Sequence, residues 1–327
     1  IISKINTFFI TTQINTYLRD HFIKMNTRFL ALLAAFGATL IYGINHTVAK
    51  EVMPDYVGAF GFIFLRLAGA TILLWVISVF LPREKIARKD FLRMFFASIL
   101  GMCINMNAFF KGLELSTPIN SGIIITLSPI LILILSSIFL SEKINTVKIL
   151  GITLGFGGAI LLIVFGVKSM PNAPNITLGN ILFLINSTSY AGYIIVIKPL
   201  TNKYHPITLL KWLFIIGFIL SLPITIKQFN DISWISLTPN IIWRILFVII
   251  GTTFMTYLLN IYALKNLPAA TVGAFIYLQP LITISYAVLT GNDNLDIVKL
   301  GGCLMILLGV YLVSKKPASI KTNRSES

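Results

Sequence analysis

Arg66 is the charge set deepest in an apolar run. It lies in the segment 57–81, about 13 Å along a helix rising about 1.5 Å per residue. A guanidinium at that depth either snorkels along its methylene stem to the headgroups or meets an anionic group inside a protected cavity. Polar residues in other apolar runs could complete such a site. Tyr42, Asn45, His46 and Thr47 share one run, and Asn105 and Asn107 a second. Asn186, Ser187, Thr188, Ser189, Tyr190 and Tyr193 share a third, Tyr257, Asn260 and Tyr262 a fourth, and Tyr277 and Gln279 a fifth. Buried amides and phenols need partners, so these side chains should face protein rather than hydrocarbon. Interhelical hydrogen bonds are one use for them, and a pocket lining is the other. The candidate substrate-binding set is Tyr42, Asn45, His46, Arg66, Asn105, Asn107, Asn186, Ser189, Tyr190, Tyr193, Tyr257, Asn260, Tyr277 and Gln279.

Two carboxylates, Glu142 and Asp293, close apolar runs. They could couple transport to protons, but at a helix end water is near and ionisation is cheap. Lys143 also adjoins Glu142 and offers an interfacial salt bridge. Both are read as structural end-posts. Pro129 and Pro280 each remove a backbone N–H inside an apolar run and are expected to kink it and shape the cavity wall. Lys211 and Arg244, near run ends, are read as snorkelling. For catalysis the inventory is thin. The histidines His21, His46 and His205 are scattered, no paired acids share a run, and Cys103 and Cys303 read as small packing residues. No Walker loop is present, and neither a metal site nor a cofactor is expected.

The elements that must position these residues are long apolar helices. Of 327 residues, 56% are hydrophobic and 11% charged, too few charges to cover soluble domains of that size. Ten segments approach the roughly 20 apolar residues that a bilayer-spanning helix needs: 29–49, 57–81, 92–111, 116–140, 147–167, 177–197, 207–226, 241–264, 270–290 and 298–314. A transmembrane barrel is disfavoured, because the runs exceed strand length and lack period-two alternation. The net charge of +15 is not a nucleic-acid footprint, since Lys and Arg fall in short breaks between apolar runs. They suit anionic headgroups and topology control instead. If the N-terminus is cytoplasmic, seventeen of them fall in inside connections and five outside. Both termini are therefore expected in the cytoplasm of a cell (inner or plasma) membrane protein.

The chain also repeats. Gly122, Pro129, Glu142, Gly151 and Gly158 are followed 151 residues later by Gly273, Pro280, Asp293, Gly302 and Gly309. Tyr42 and Lys50 are followed 148 residues later by Tyr190 and Lys198. Five spans is an odd number, so the second half must lie inverted in the membrane, an arrangement that places a site near the midplane between halves. The expected organisation is an over-extended or disordered segment at 1–24, a first repeat at 25–167, a second at 168–315 and a cytoplasmic tail at 316–327.

This pattern resembles the drug/metabolite transporter superfamily, and within it the ten-helix EamA-type members. The likeness is carried by Tyr42, Gly43 and Asn45 with Lys50, by Phe64-Leu65-Arg66, by Ser128-Pro129 through Ser141-Glu142 with the trailing glycines, and by their echo around Pro280. It covers essentially Met25 to Ser314. The resemblance implies two inverted five-helix bundles around a central cavity, peripheral fifth and tenth spans, and transport of small metabolites, often export of amino acids or their relatives. Where such chains usually end the ninth span in Gly-Glu, this one has Gly291-Asn292-Asp293, keeping the charge on a shorter side chain.

The reading is a carrier of a small organic metabolite, amino-acid-like or drug-like, working by alternating access, with export taken from the resemblance. Its partners are the substrate and the lipid bilayer, and a glycine-rich peripheral span could also serve a homodimer. The alternative is an intramembrane enzyme acting on a lipid or lipid-linked substrate. Topology is open to a direct check. In a chain with Cys103 and Cys303 replaced by serine, Asn172→Cys should react with an impermeant thiol reagent applied outside intact cells, and Lys85→Cys should react only after lysis.

Overall fold

The computed structural model describes residues 27–82, 84–141, 144–167, 169–267, 271–272 and 275–314. Glu142, Lys143 and Gly273 lie outside the described residues, as do the segment 1–24, expected to be over-extended or disordered, and the tail 316–327. Among those described, nine helices are long and apolar enough to cross a membrane. They are α1 (Thr27–Lys50), α2 (Ala59–Ser78), α3 (Arg88–Leu115), α4 (Pro118–Phe139), α5 (Thr146–Phe165), α6 (Ile176–Thr201), α7 (Pro206–Asn230), α8 (Pro239–Ala263) and α10 (Ile297–Ser314). The ninth pass is completed by a shorter apolar helix, α9 (Leu278–Leu289), which follows a 3₁₀ turn at Phe275–Tyr277. Ten alternating passes put Thr27 and Ser314 at one face, here called the terminal face; the other is the distal face.

Several helix starts follow capping chemistry. The side chains of Thr117, Asn145, Asn175 and Thr238 accept hydrogen bonds from backbone N–H groups in the first turns of α4, α5, α6 and α8. Prolines open α4, α7 and α8, where no backbone donor is lost.

The predicted kink at Pro129 takes another form. The fourth pass is broken by a turn at Thr126 and Leu127, and Pro129 begins the helix that follows, Ser128–Leu140. Pro280 stands likewise just inside α9 after the 3₁₀ turn. Each proline thus restarts a discontinuous helix, at the first-turn position where its missing N–H costs nothing. The third and eighth passes share a second device. Residues Ile99–Ile104 of α3 and Phe247–Met255 of α8 are π-helical, a register that widens the backbone and favours functional sites.

The sequence repeat reappears as contact geometry along α5 and α10. A Cβ built on Gly151 would lie 2.7 Å from the Gly309 carbonyl oxygen, and one on Gly158 would lie 2.8 Å from that of Gly302. Under the 151-residue offset, Gly151 maps to Gly302 and Gly158 to Gly309, so the two contacts are images of one another. The pseudo-twofold axis passes through this seam. These glycines are used within the chain, which removes them as a free surface for a homodimer.

Gly309→Ala would push a methyl group to 2.5 Å from the Gly151 carbonyl oxygen, and overpacking of this kind costs about 1–3 kcal/mol. Its thermal unfolding midpoint should fall clearly. Gly157→Ala meets only the flexible end of Met305, and its midpoint should match wild type.

Candidate functional site

Arg66 is buried in α2, 8% exposed. Its Nε donates to Thr253 Oγ1 at 3.1 Å, on the π segment of α8, and its guanidinium carbon stands 5.4 Å from the centroid of the Phe110 ring, a favourable cation–π distance. Tyr42 of α1 and Tyr257 of α8 are within its electrostatic reach. Tyr257 in turn interacts with Tyr42, Tyr190 and Tyr193, and the Tyr190 and Tyr193 rings of α6 are 6.0 Å apart. Four phenols and a guanidinium, drawn from both halves, therefore share one volume. Tyr42 and Tyr190 are repeat equivalents, so this cluster also straddles the pseudo-axis.

The phenol side chains are not fully enclosed: Tyr42, Tyr193 and Tyr257 are half-buried. Among the described residues the four phenolic oxygens have no hydrogen-bond partner, yet none is among the sealed, unsatisfied atoms. Tyr190 is 40% exposed while standing deep among helices. No carboxylate of the described residues pairs with Arg66. The guanidinium is anchored at one nitrogen and leaves its forked end available, the geometry that recognises a carboxylate or phosphate.

Other members of the predicted set are consumed by helix packing. Asn105 Nδ2 donates to the Asn186 carbonyl at 3.0 Å, and Asn186 Nδ2 returns a bond to the Asn105 carbonyl at 2.8 Å, clamping α3 to α6. Ser189 Oγ donates to the Leu100 carbonyl at 2.6 Å, in the π segment of α3. Asn45 Oδ1 accepts from Thr252 Oγ1 at 2.8 Å, tying α1 to α8. Asn107 Nδ2 donates to the Cys103 carbonyl and to Ser221. Tyr277 is directed away from the cluster and hydrogen-bonds Ser314 at 2.7 Å. Asn260 is half-buried on α8, one turn beyond Tyr257.

His46 is the junction of three helices. Its Nδ1 is 2.6 Å from Ser121 Oγ of α4, which donates onward to the Pro118 carbonyl at 2.8 Å. Its Nε2 is 3.2 Å from Gln279 Nε2 of α9. A neutral imidazole with its proton on Nδ1 satisfies every bond in this chain, so His46 joins α1, α4 and α9 without needing charge.

The distal face carries the ionisable residues that spacing alone did not single out. Lys50 is 3% exposed and donates to the Leu113 and Glu114 carbonyls at 2.8 Å each, capping the end of α3. Glu114 Oε2 accepts from the Ala59 N–H at 2.8 Å, capping the start of α2, while its other oxygen pairs with Lys111. Gln228 of α7 accepts from the Phe60 N–H at 2.8 Å. Asp293, predicted to sit near water, is instead 2% exposed. It pairs with Lys299 at 2.5 Å and accepts from the Ile119 N–H at 3.1 Å. Burial is tolerable because both carboxylate oxygens are bonded. Arg244, predicted to snorkel, pairs with Glu51 at 2.6 Å, and the other Glu51 oxygen accepts from Asn292 at 2.7 Å. Tyr42 with Lys50 as a spaced pair, and Glu114 alone in a long uncharged stretch, were the available signals for this network.

At the terminal face, polar links between the halves among the described residues join the α2–α3 connection and the start of α3 to the α6–α7 connection. Tyr204 donates to Asp90 at 2.8 Å, and Glu84 accepts from the His205 N–H at 2.9 Å. Lys211, also predicted to snorkel, lies 5.0 Å from the Trp75 ring centroid. On the other side, α1 meets α8 through Ala31, Ala34 and Ala35 packed against Ala263 and Leu267.

The EamA-like transporter family model matches this chain twice, over residues 29–164 and 177–315. An "uncharacterized transporter" of Archaeoglobus fulgidus is 29% identical over 290 residues, covering 88% of this chain and 98% of that protein. The uncharacterized transporter YyaM of Bacillus subtilis is 25% identical, covering 85% of this chain and 91% of its own. The WAT1-related protein At3g18200 of Arabidopsis thaliana is 25% identical, with 86% and 78% covered. A solved crystal structure aligns with 87% of this chain and 96% of its own at a TM-score of 0.56 and 16% identity, a likeness of fold alone.

Proposed function

We propose, from the premise that the chain belongs to the EamA-like transporter family, that it moves a small organic metabolite bearing an anionic group across the cell membrane. The observation that carries this reading is Arg66. It is a buried guanidinium open at its forked end, without a carboxylate partner among the described residues, beside four phenols that have no hydrogen-bond partner among those residues. A substrate carboxylate would meet Arg66, and its organic body would lie among the Tyr42, Tyr190, Tyr193 and Tyr257 rings, whose hydroxyls serve amino or hydroxyl groups. That profile fits amino-acid-like and drug-like acids. Export is the proposed direction, on the resemblance to exporters.

Alternating access of the two inverted halves is the proposed mechanism. In its support, the distal face is tied across the halves by half-buried contacts from Glu51 and Gln228 and a buried one from Asp293. Among the described residues the terminal face shows fewer polar links across the halves, and α1 packs there on alanines. Opening toward the terminal side disturbs fewer buried polar groups, which makes the distal network the closed gate of this conformation. The excess of Lys and Arg in its connections makes the terminal face the proposed cytoplasmic one. Glu51, Glu114 and Asp293 are engaged in pairing and capping, so movement down the substrate gradient, or coupling through the gate itself, suits the chain better than a carboxylate in the pocket.

Flux into liposomes across a panel of carboxylates and matched neutral compounds tests the reading. Arg66→Gln should lower apparent affinity for the transported acid about ten- to hundredfold, the value of a charged hydrogen bond of about 1.5–3 kcal/mol. Monodispersity should not change, and unchanged uptake kinetics would sink the assignment. The gate has its own test. Glu51→Gln breaks the pair with Arg244 at constant shape, and should raise labelling of Tyr257→Cys by an impermeant thiol reagent added from the distal side.

A further inference from the structure

We propose that a groove at the terminal face, between α3 and the end of α6, binds the headgroup of an anionic phospholipid. The groove has a volume of about 540 Å³ and is walled by α3 from the first half and by Val196 and Lys203 from the second. It takes its orientation toward the cytoplasmic leaflet from the topology proposed above and is independent of Arg66.

Its charge is arranged for an anion. Lys89 and Arg93 stand four residues apart on α3, on one helix face, and among the described residues neither is in an ion pair. The one carboxylate in the groove, Asp90, is already engaged. It accepts from Tyr204 Oη at 2.8 Å and from Lys203 Nζ at 3.3 Å on both oxygens, and its side chain is 10% exposed. Two cations are therefore left without a counter-ion in a walled recess.

The groove also changes character with depth, which separates a lipid from a soluble anion. Leu92 is 66% and Phe96 51% exposed, although both belong to the groove wall. From Lys89 to Phe96 is about 10 Å along the helix, the distance over which a bilayer passes from headgroup to acyl chain. A free phosphate would use the cations alone, whereas a phospholipid also covers the apolar lower wall. The leaflet facing the more basic side of a membrane protein carries the anionic lipids. Because the walls come from both halves, a bound headgroup ties them together beside the Asp90–Tyr204 link and opposes their separation at the terminal face.

The test uses the whole chain in nanodiscs of phosphatidylcholine with increasing phosphatidylglycerol. The readouts are the thermal midpoint and the phosphatidylglycerol retained in native mass spectrometry. Wild type should retain phosphatidylglycerol and gain thermal stability with it. Lys89→Gln/Arg93→Gln should weaken apparent lipid affinity about thirtyfold. Lys148→Gln/Lys265→Gln, which removes the same charge elsewhere on that face, should behave as wild type. Equal losses in both double variants would reduce the effect to bulk attraction and overturn the proposal. So would inorganic phosphate, added to detergent-solubilised protein, giving the same stabilisation as phosphatidylglycerol. Were the double variant unstable, Lys89→Gln and Arg93→Gln would be titrated singly in the same way. Each should weaken lipid retention relative to wild type, and wild-type retention in both would overturn the proposal.

Discussion

Helix ends at membrane depth must find partners for the backbone groups that the helix itself leaves unbonded, and the distal face is built around that demand. Lys50 closes the end of α3, Glu114 and Gln228 the start of α2, and Asp293 the start of α4. Each cap comes from a different helix or connection, so the bonds that satisfy one terminus fix its height against another. Two of these caps cross between the halves. Ionised side chains serve because a charged hydrogen bond is stronger than a neutral one. Each has a counter-ion or several bonds at low exposure: Asp293 has Lys299, and Glu114 has Lys111. Such groups contribute more to a single, definite arrangement than to net stability.

Inside this frame the same device is used twice. The fourth and ninth passes are interrupted ahead of a proline, and the third and eighth pass through a π-helical stretch. The π segments are where the site is held. Thr253 of one anchors Arg66, and the Leu100 carbonyl of the other anchors Ser189, one residue before Tyr190. Regular α-helices would present smooth ridges to the midplane. The irregular segments instead free carbonyl and hydroxyl groups there, and the side chains that line the opening are fastened to them.

Apolar runs, inverted repeat, Arg66 and the four tyrosines could be read from the sequence, because length, spacing and depth depend on one helix at a time. The fate of the amides could not. Whether Asn105 lines a cavity or bonds the Asn186 carbonyl depends on how α3 is rotated against α6, and both rotations share one hydropathy pattern. Asp293 and Arg244 were misplaced for a related reason. A charge near the end of a run looks solvated in one dimension, yet the connection of a neighbouring helix can fold over it, as Glu51 does for Arg244. The proline spacing was visible, but a kink and a restarted helix have the same spacing. Tyr277 belonged to the right span and the wrong face.

The glycine seam between α5 and α10 is self-complementary, since each half supplies one member of both matching contacts. Two separate copies of a single five-helix half, inserted in opposite directions, would meet along the same seam without any change to these residues. Geometry therefore does not record which way either half faces. That information lies in the connections, whose Lys and Arg are shared unequally between the two faces. In the fused chain, packing residues are free to stay alike while loop charges must diverge. Orientation and architecture are thus written in separate residues and can drift independently.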